Sequence, residues 1–155
     1  MKILMVCLGN ICRSPLAEGI LQQKAKDYNL DITVDSAGTI ATHQGELPDA
    51  RSIETAENHS IDITYQRSRP FTDEDFEKFD WIYAMDASNY SDLIARAKTP
   101  EQMKKVKMIL NEVYPNENRS VPDPYYGGQD GFEKVYQMLD EACDIIIKKL
   151  KNDKR

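Results

Sequence analysis

The eight residues 7–14, Cys-Leu-Gly-Asn-Ile-Cys-Arg-Ser, constrain this chain more than any other stretch. A short apolar run precedes them, residues 3–6, with the length and composition of a buried strand. Behind them, apolar residues recur at helical spacing over 16–25. We therefore predict a helix with Ser14 as its N-cap and Pro15 at its first position. The stretch is then the turn between a strand and a helix.

A strand-to-helix turn of this kind is suited to bind an anion. Successive backbone N–H groups point into its concavity, and the positive end of the helix dipole adds to their effect. Arg13 supplies a planar guanidinium that can hold two phosphate oxygens at once. We therefore predict a phosphate-binding loop over residues 7–14, here called the phosphate loop. Its remaining phosphate-binding residues are predicted to be Leu8, Gly9, Asn10, Ile11, Cys12 and Ser14.

Cys7 distinguishes this turn from an ordinary phosphate-binding loop. It ends the strand, where the backbone N–H groups and Arg13 favour a thiolate over a thiol. A thiolate beneath a bound phosphate can attack phosphorus in line, so Cys7 is the candidate nucleophile and Arg13 the clamp for the equatorial oxygens. The hydroxyl of Ser14 can donate to the sulfur. The alternative, a buried cysteine followed by a helix cap, leaves Arg13 and the Gly9-Asn10 pair unexplained.

Strand and helix patterns alternate four times along the 155 residues. Further strands are predicted at 32–35, 81–85 and 106–110, with helices beginning near Asp49, Thr72 and Asp86 and a long final helix after 129. This alternation predicts an α/β fold in one domain, residues 1–155, with a four-stranded parallel sheet and helices on both faces. Ligands of such sheets bind beyond the carboxyl ends of the strands. At that edge we expect Cys7, Ser36, Asp86 and the loop around Asp123.

The formal net charge of −6 restricts the partners of the chain. Nucleic acids and anionic membranes attract basic surfaces, so neither is expected to bind this protein. The anion site must then be local, built from backbone dipoles and Arg13. The first apolar run is too short for a signal peptide or a membrane span, and we expect neither elsewhere.

The cysteine and histidine content argues against disulfides and metals. Three cysteines, Cys7, Cys12 and Cys143, do not form a secreted disulfide framework, so we expect a reduced, cytoplasmic setting. His43 and His59 lie far apart and no Cys-x2-Cys pair accompanies them, so no metal is predicted. Without a Gly-x4-Gly-Lys-Ser/Thr motif, no nucleotide or other cofactor is expected either.

The phosphate loop with its flanking residues, 6–15, resembles the signature of the low-molecular-weight protein tyrosine phosphatases. The similarity continues at 35–39, 84–86 and 121–126, and so spans the chain. The resemblance implies a Rossmann-like sheet with the phosphate loop after the first strand. It also implies hydrolysis of phosphotyrosine, and of small aryl phosphates, through a phosphocysteine on Cys7.

The resemblance implies a general acid outside the phosphate loop. Protonation of the departing oxygen typically contributes ~10²–10⁴-fold, and residues 7–14 contain no carboxyl group. From spacing alone, Pro122-Asp123-Pro124 is best explained as an Asx-type turn. By resemblance, Asp123 is instead the general acid, and later the base that activates water.

Supporting roles are expected for four further residues, and those of Tyr125, Ser36 and Asn10 are implied by the resemblance. Tyr125 is expected to wall the substrate cleft, and Ser36 with Asn10 to hold the phosphate loop in shape. Asp86 is expected to cap a helix first and to border the active site second. Family members often carry an aromatic residue after the second strand, but alignment puts Thr42 there with His43 beside it. Tyr125 would then be the main aromatic contact.

Three other functions are alternatives to phosphotyrosine hydrolysis. A protein-arginine phosphatase of the same family carries, by resemblance, a threonine in place of Ile11 and another residue in place of Tyr125. An arsenate reductase needs two further redox cysteines, and none occurs between Cys12 and Cys143. A phosphopeptide-binding module would keep Arg13 without needing a nucleophile. Phosphotyrosine hydrolysis is therefore favoured.

The expected partners and regulation follow from that activity. The substrates would be phosphotyrosine proteins, including a tyrosine kinase, and a monomer is the default state. Cys7 and Cys12 lie on one curled loop, so a disulfide between them is within reach. We therefore predict a redox-sensitive enzyme in which Cys12 resolves oxidised Cys7.

Overall fold

The computed structural model describes residues 1–153 and contains one parallel sheet between two layers of helices. The strands are β1 (Lys2–Cys7), β2 (Thr33–Gly38), β3 (Trp81–Ala84) and β4 (Val106–Met108). The helices are α1 (Arg13–Asp27), α2 (Ala50–Asn58), α3 (Asp75–Lys78), α4 (Ala87–Arg96), α5 (Pro100–Lys105) and α6 (Gln129–Asp153). All neighbouring strands run parallel, in the order β2-β1-β3-β4. The predicted α/β class with a four-stranded parallel sheet is confirmed.

Both faces of the sheet are covered, as the apolar character of β1 indicates. Ile3 and Met5 join the larger core with residues of α1, α2 and α6. Leu4 and Val6 point the opposite way and join a second core with residues of α3 and α4. All four side chains are fully buried. Two packed faces fix the central strand, so its last residue, Cys7, has a defined position at the carboxyl edge.

The first helix does not begin as predicted. Cys12 occupies the cap position and α1 starts at Arg13, so the prediction of Ser14 as N-cap is wrong. The hydroxyl of Ser14 lies within hydrogen-bond distance of Asn10 and Cys7 instead of capping the helix. The phosphate loop thus uses this serine for its own shape.

Helices α2 and α4 are capped by the side chain that precedes their first residue. Asp49 caps α2 by accepting from the backbone N–H of Arg51, and Asp86 caps α4, both at the predicted positions. The helix predicted from Thr72 is only the single turn α3. The carboxyl of Asp75 accepts from the backbone N–H of Thr72 and also binds Arg69.

Four other elements differ from the prediction, and the first is strand β3, which ends at Ala84 and not at residue 85. Strand β4 ends at Met108 and a 3-10 turn follows over Ile109–Glu112, so the predicted strand is too long by two residues. Strand β2 extends through Ser36 to Gly38. Helix α5 was not predicted from the sequence, although Thr99 caps it ahead of Pro100 in an ordinary helix-start pattern. Within residues 1–153, no helix has the length and apolar character needed to cross a membrane.

Candidate active site

A cavity of about 240 Å³ opens at the carboxyl edge of the sheet, where β1 ends. The phosphate loop forms its floor, and the segment 122–128, here called the Pro-Asp-Pro loop, forms one wall. The cavity is lined by Cys7, Leu8, Gly9, Ile11, Cys12, Arg13, Ile40, His43, Asp123, Tyr125 and Tyr126. The structure therefore brings together the segments that the sequence analysis placed at this edge.

Asn10 holds the phosphate loop in its curled form. Its backbone φ of 58° lies in the left-handed region, which asparagine tolerates better than most residues. The side-chain amide nitrogen donates to Ser14 Oγ at 2.7 Å and to Ser36 Oγ at 3.0 Å. Its oxygen accepts from the backbone N–H of Arg69 at 3.1 Å, which fixes the orientation of the amide. This buried network pins the loop to β2 and to the segment before α3.

The same network orients the hydroxyl of Ser14 toward Cys7. Ser14 Oγ lies 3.0 Å from Cys7 Sγ, a distance at which either atom can donate. Because Asn10 already donates to Ser14 Oγ, the hydroxyl proton of Ser14 is left to point at the sulfur. The hydroxyl of Ser14 is thus placed to donate to the sulfur of Cys7.

Arg13 is anchored on one edge and open on the other. Its Nη1 donates to Asp86 Oδ2 at 2.7 Å and to the carbonyl of Val121 at 2.9 Å. Its Nε is buried and has no hydrogen-bond partner among the described residues. Nη2 lies 3.8 Å from Asp123 Oδ2. The Nε–Nη2 edge is thus the fork that can grip two oxygens of a tetrahedral oxyanion.

Neighbouring negative groups raise the pKa values of both Arg13 and Cys12. Burial lowers the pKa of Arg13, but the neighbouring Cys7 and Asp86 outweigh this effect and raise it. Burial raises the pKa of the Cys12 thiol, and Asp49 and Cys7 add to the shift. Cys12 therefore stays a neutral thiol in the cavity floor, whereas Arg13 stays charged.

Asp123 forms a local turn and also faces the cavity. Its Oδ1 accepts from the backbone N–H of Tyr125 at 3.1 Å, which is the Asx-type turn. Its Oδ2 faces Arg13 across the cavity, and the side chain keeps 37% exposure. Asp86 likewise caps α4 and binds Arg13, so both of its expected roles occur in one side chain.

The mouth of the cavity differs from the sequence-based alignment. Thr42 is exposed and does not line the cavity, whereas Ile40 and His43 do. The ring of His43 lies against Gly9, where an added Cβ would come within 2.9 Å of His43 Cδ2. His43 Nδ1 also lies 3.0 Å from Glu46 Oε2. The imidazole ring of His43 therefore lies in the cavity wall, next to residue 42, where the alignment placed the aromatic residue of other family members.

Glu18 on α1 belongs to the site although the sequence analysis did not identify it. It is 4% exposed, accepts from Ser36 Oγ at 2.7 Å, and accepts from Tyr65 OH at 2.8 Å. It therefore ends the hydrogen-bond chain that runs from Asn10 through Ser36. The available signal was a lone acidic residue inside the otherwise apolar start of a helix.

The buried position of Glu18 predicts a pH-dependent stability. Burial raises its pKa from 4.5 to about 7, although the hydrogen bonds from Ser36 and Tyr65 oppose the shift. Between those values the folded state holds a proton that the unfolded chain has released, so the free energy of unfolding falls as the pH rises. The shift corresponds to roughly 3 kcal/mol. Glu18→Gln should remove this loss.

Urea unfolding at pH 5 and pH 8 measures the effect. From pH 5 to pH 8 the unsubstituted protein should lose free energy of unfolding, and Glu18→Gln should lose less of it. The matched control is Glu57→Gln, at an exposed position of α2, which should follow the unsubstituted protein. If the free energy of unfolding changed equally between pH 5 and pH 8 in Glu18→Gln and in the unsubstituted protein, this carboxyl would not titrate in that range.

Residues 1–153 contain no group of three or more His, Cys, Asp or Glu side chains placed to hold a metal ion. The chemistry that the geometry supports uses a thiolate candidate, a fixed cation and a carboxyl group around one oxyanion-sized space. This combination is suited to bind a phosphate ester at the edge of a parallel α/β fold.

Comparison with known proteins identifies the family. Residues 2–155 match the family described as low molecular weight phosphotyrosine protein phosphatase. A relative of that name from Schizosaccharomyces pombe is 38% identical, covering 96% of each chain. The crystal structure of a protein tyrosine phosphatase from Entamoeba histolytica has a TM-score of 0.92 and 38% identity, covering 100% of this chain and 99% of the other. This chain belongs to the low-molecular-weight phosphotyrosine protein phosphatase family, and is thus a phosphoric monoester hydrolase.

One similar structure is named as an arginine phosphatase and not as a tyrosine phosphatase. A Drosophila arginine phosphatase has a TM-score of 0.90 and 35% identity, covering 97% of this chain and 98% of its own. That name refers to a phosphoarginine substrate, whereas the family description refers to phosphotyrosine. Family membership implies phosphoprotein substrates, and the choice between them rests on the cavity.

Proposed function

We propose that this protein hydrolyses phosphotyrosine in proteins, through a phosphocysteine on Cys7 and with Asp123 as general acid and base. The observation that carries the proposal is the open Nε–Nη2 edge of Arg13, which faces the same cavity as Cys7 and Asp123. A phosphoryl group held on that edge and on the N–H groups of the phosphate loop has sulfur on one side. The carboxyl group stands on the wall beside it.

The first chemical step transfers the phosphoryl group to sulfur. The thiolate of Cys7 attacks phosphorus as the bond to the tyrosine oxygen breaks, and Asp123 gives its proton to that oxygen. Arg13 stabilises the charge on the equatorial oxygens. Tyrosine leaves as a neutral phenol, and the enzyme holds an S–P bond.

The second step restores the enzyme. Asp123, now a carboxylate, removes a proton from a water molecule whose oxygen attacks phosphorus. The S–P bond breaks, phosphate leaves, and the thiolate regains the hydrogen bond from Ser14 Oγ. Both steps use the same carboxyl group in opposite protonation states, so one turnover returns every proton to its place.

Phosphotyrosine fits the cavity better than phosphoarginine. Ile11 and Tyr125 both line it and offer an apolar side chain and a ring to an aryl substrate. The similarity to the Drosophila enzyme keeps phosphoarginine as the second candidate. Rates on phosphotyrosine, phosphoarginine and phosphoserine peptides of one sequence test the choice. Phosphotyrosine should be hydrolysed fastest, and a faster rate on phosphoarginine would reverse the assignment.

The setting of this activity is also proposed. We infer a single catalytic domain, residues 1–155, that acts as a monomer on cytoplasmic phosphotyrosine proteins, including a tyrosine kinase. Its three cysteines are free and buried, as a reducing compartment would maintain them. Neither nucleic acid nor membrane is expected as a partner at a net charge of −6.

Reversible oxidation of Cys7 is the expected form of regulation. Peroxide oxidises the thiolate to a sulfenic acid, and the Cys12 thiol displaces water from it to form a disulfide. A dithiol then reduces the disulfide and restores activity. Both cysteines line the same cavity, which supports this exchange.

The prediction concerns recovery rather than inactivation. Peroxide should inactivate the unsubstituted protein and Cys12→Ser alike. Dithiol should restore the former nearly fully, and the latter only in small part, because unprotected sulfenic acid oxidises further. Residual activity after each treatment measures both effects. Equal recovery in the two proteins would remove Cys12 from the resolving role.

A further inference from the structure

Arg51, on the first turn of α2, lies between the two loops of the active site. It belongs to none of the motifs in the sequence analysis and does not line the cavity. Its guanidinium makes a two-point contact with the carboxylate of Asp49, Nε to Oδ1 at 3.0 Å and Nη2 to Oδ2 at 3.1 Å. The same group donates to two backbone carbonyls of the Pro-Asp-Pro loop, at Tyr125 (2.9 Å) and Gly127 (3.0 Å).

The start of α2 is itself tied to the phosphate loop. The backbone N–H of Asp49 donates to the carbonyl of Ile11 at 2.8 Å. Ser52 Oγ donates to the carbonyl of Cys12 at 3.1 Å. Arg51 therefore projects from a base that is fixed relative to Cys7.

Two aromatic rings set the plane of the guanidinium. Its central carbon lies 4.6 Å from the ring centre of Phe132 and 5.6 Å from that of Tyr125. Phe132 is fully buried at the start of α6, so it gives the side chain a rigid support. A planar fork held in this way offers donors in fixed directions, which a lysine cannot reproduce.

The two bonds from Arg51 join the Pro-Asp-Pro loop to a segment that is distant in sequence. Two of its other backbone hydrogen bonds are local, from Gly127 to Pro124 and from Gly131 to Gly128. The carboxyl of Asp123 accepts from the N–H of Tyr125, whose carbonyl is one of the two that Arg51 binds. The position of Asp123 is thus linked through one residue to Arg51 and from there to the phosphate loop.

We propose that Arg51 is a positioning residue that clamps the Pro-Asp-Pro loop to the phosphate loop and holds Asp123 beside the leaving group. This inference rests on the proposed function, because it takes Asp123 as the general acid. Arg51 acts through the loop and does not touch the substrate. Loss of the clamp should therefore impair proton transfer rather than phosphate binding.

The test compares Arg51→Met with Arg51→Lys on two aryl phosphates. Methionine keeps the stem over Phe132 but removes every donor, and lysine keeps the charge without the fork. With phenyl phosphate, whose leaving group needs a proton, kcat/KM should fall about 10- to 100-fold in Arg51→Met and less in Arg51→Lys. With dinitrophenyl phosphate it should change less than about twofold, and competitive inhibition by inorganic phosphate should be unchanged.

The matched control is Arg96→Met. Arg96 also donates to a backbone carbonyl, at Phe71, lies 4.9 Å from that ring and faces Asp73, but it sits on α4. Its replacement should leave the ratio of the two kcat/KM values unchanged. If the ratio changed equally in Arg51→Met and Arg96→Met, the effect would come from general destabilisation, and the proposal that Arg51 clamps the loop would be wrong.

A double-mutant cycle with Asp123→Asn separates positioning from structure. If Arg51 acts through the acid, Arg51→Met should cost phenyl phosphate hydrolysis less than about twofold once Asp123 is replaced. Amide hydrogen exchange over 122–128 should also be faster in Arg51→Met. Full additivity, or unchanged exchange, overturns the proposal. An Asp123→Asn variant that treats both substrates alike contradicts the proposed function instead, because that result does not involve Arg51.

Discussion

Cys7→Ser should abolish turnover, lowering kcat by at least about 10⁴-fold, while the protein still folds and binds phosphate. The serine hydroxyl is not ionised at neutral pH and is a far weaker nucleophile than a thiolate. The Nε–Nη2 edge of Arg13 and the N–H groups of the loop remain in place. Steady-state rates on a phosphotyrosine peptide and calorimetric titration with inorganic phosphate measure the two halves of this prediction.

The control for Cys7→Ser is Cys143→Ala. Cys143 is fully buried in the larger core and does not line the cavity. Its replacement should cost some stability through lost packing but should keep turnover. Near-normal turnover in Cys7→Ser would exclude a covalent route through this sulfur.

Asp123→Asn should produce the second largest loss, and the loss should depend on the leaving group. For phenyl phosphate we expect kcat/KM to fall by ~10²–10⁴-fold, because the phenoxide then leaves without a proton. For dinitrophenyl phosphate kcat/KM should change little, since that anion leaves readily. This parameter covers only the steps up to formation of phosphocysteine, so it isolates the acid role from the base role.

The role of Asp123 as the base that activates water affects kcat, because hydrolysis of phosphocysteine follows its formation. Without a carboxylate to activate water, phosphocysteine should accumulate in Asp123→Asn even with the activated substrate. The matched control is Asp130→Asn, at an exposed position of α6 that does not line the cavity. Equal slowing of kcat/KM for both substrates would remove Asp123 from the acid role.

The parts of the site that the sequence predicted depend on local chemistry. The strand before Cys7 and the helix after Arg13 follow from apolar spacing within about 20 residues. Asp49 and Asp86 cap their helices because a cap needs only the next three residues. The prediction for the loop–helix junction was wrong, since Ser14 could cap a helix or bind Asn10, and in the structure it binds Asn10, whose φ is left-handed.

The parts that the sequence did not predict depend on contacts between distant segments. Glu18 reaches Ser36 and Tyr65, 18 and 47 residues away, so no local pattern marks it as buried. Arg51 binds carbonyls 74 and 76 residues further along the chain. The segment around His43 has no periodicity, so the alignment that favoured Thr42 had nothing to fix its register. Packing against Gly9 places His43 in the cavity lining.

Trapping the intermediate tests the central claim most directly. Asp123→Asn mixed with excess dinitrophenyl phosphate, quenched within one turnover and digested, should yield a phosphorylated peptide with the phosphoryl group on the sulfur of Cys7. The double variant with Cys7→Ser should yield none. Phosphate found on another residue, or a burst of phenol without any phosphorylated peptide, would contradict the account of this protein as a phosphatase acting through phosphocysteine.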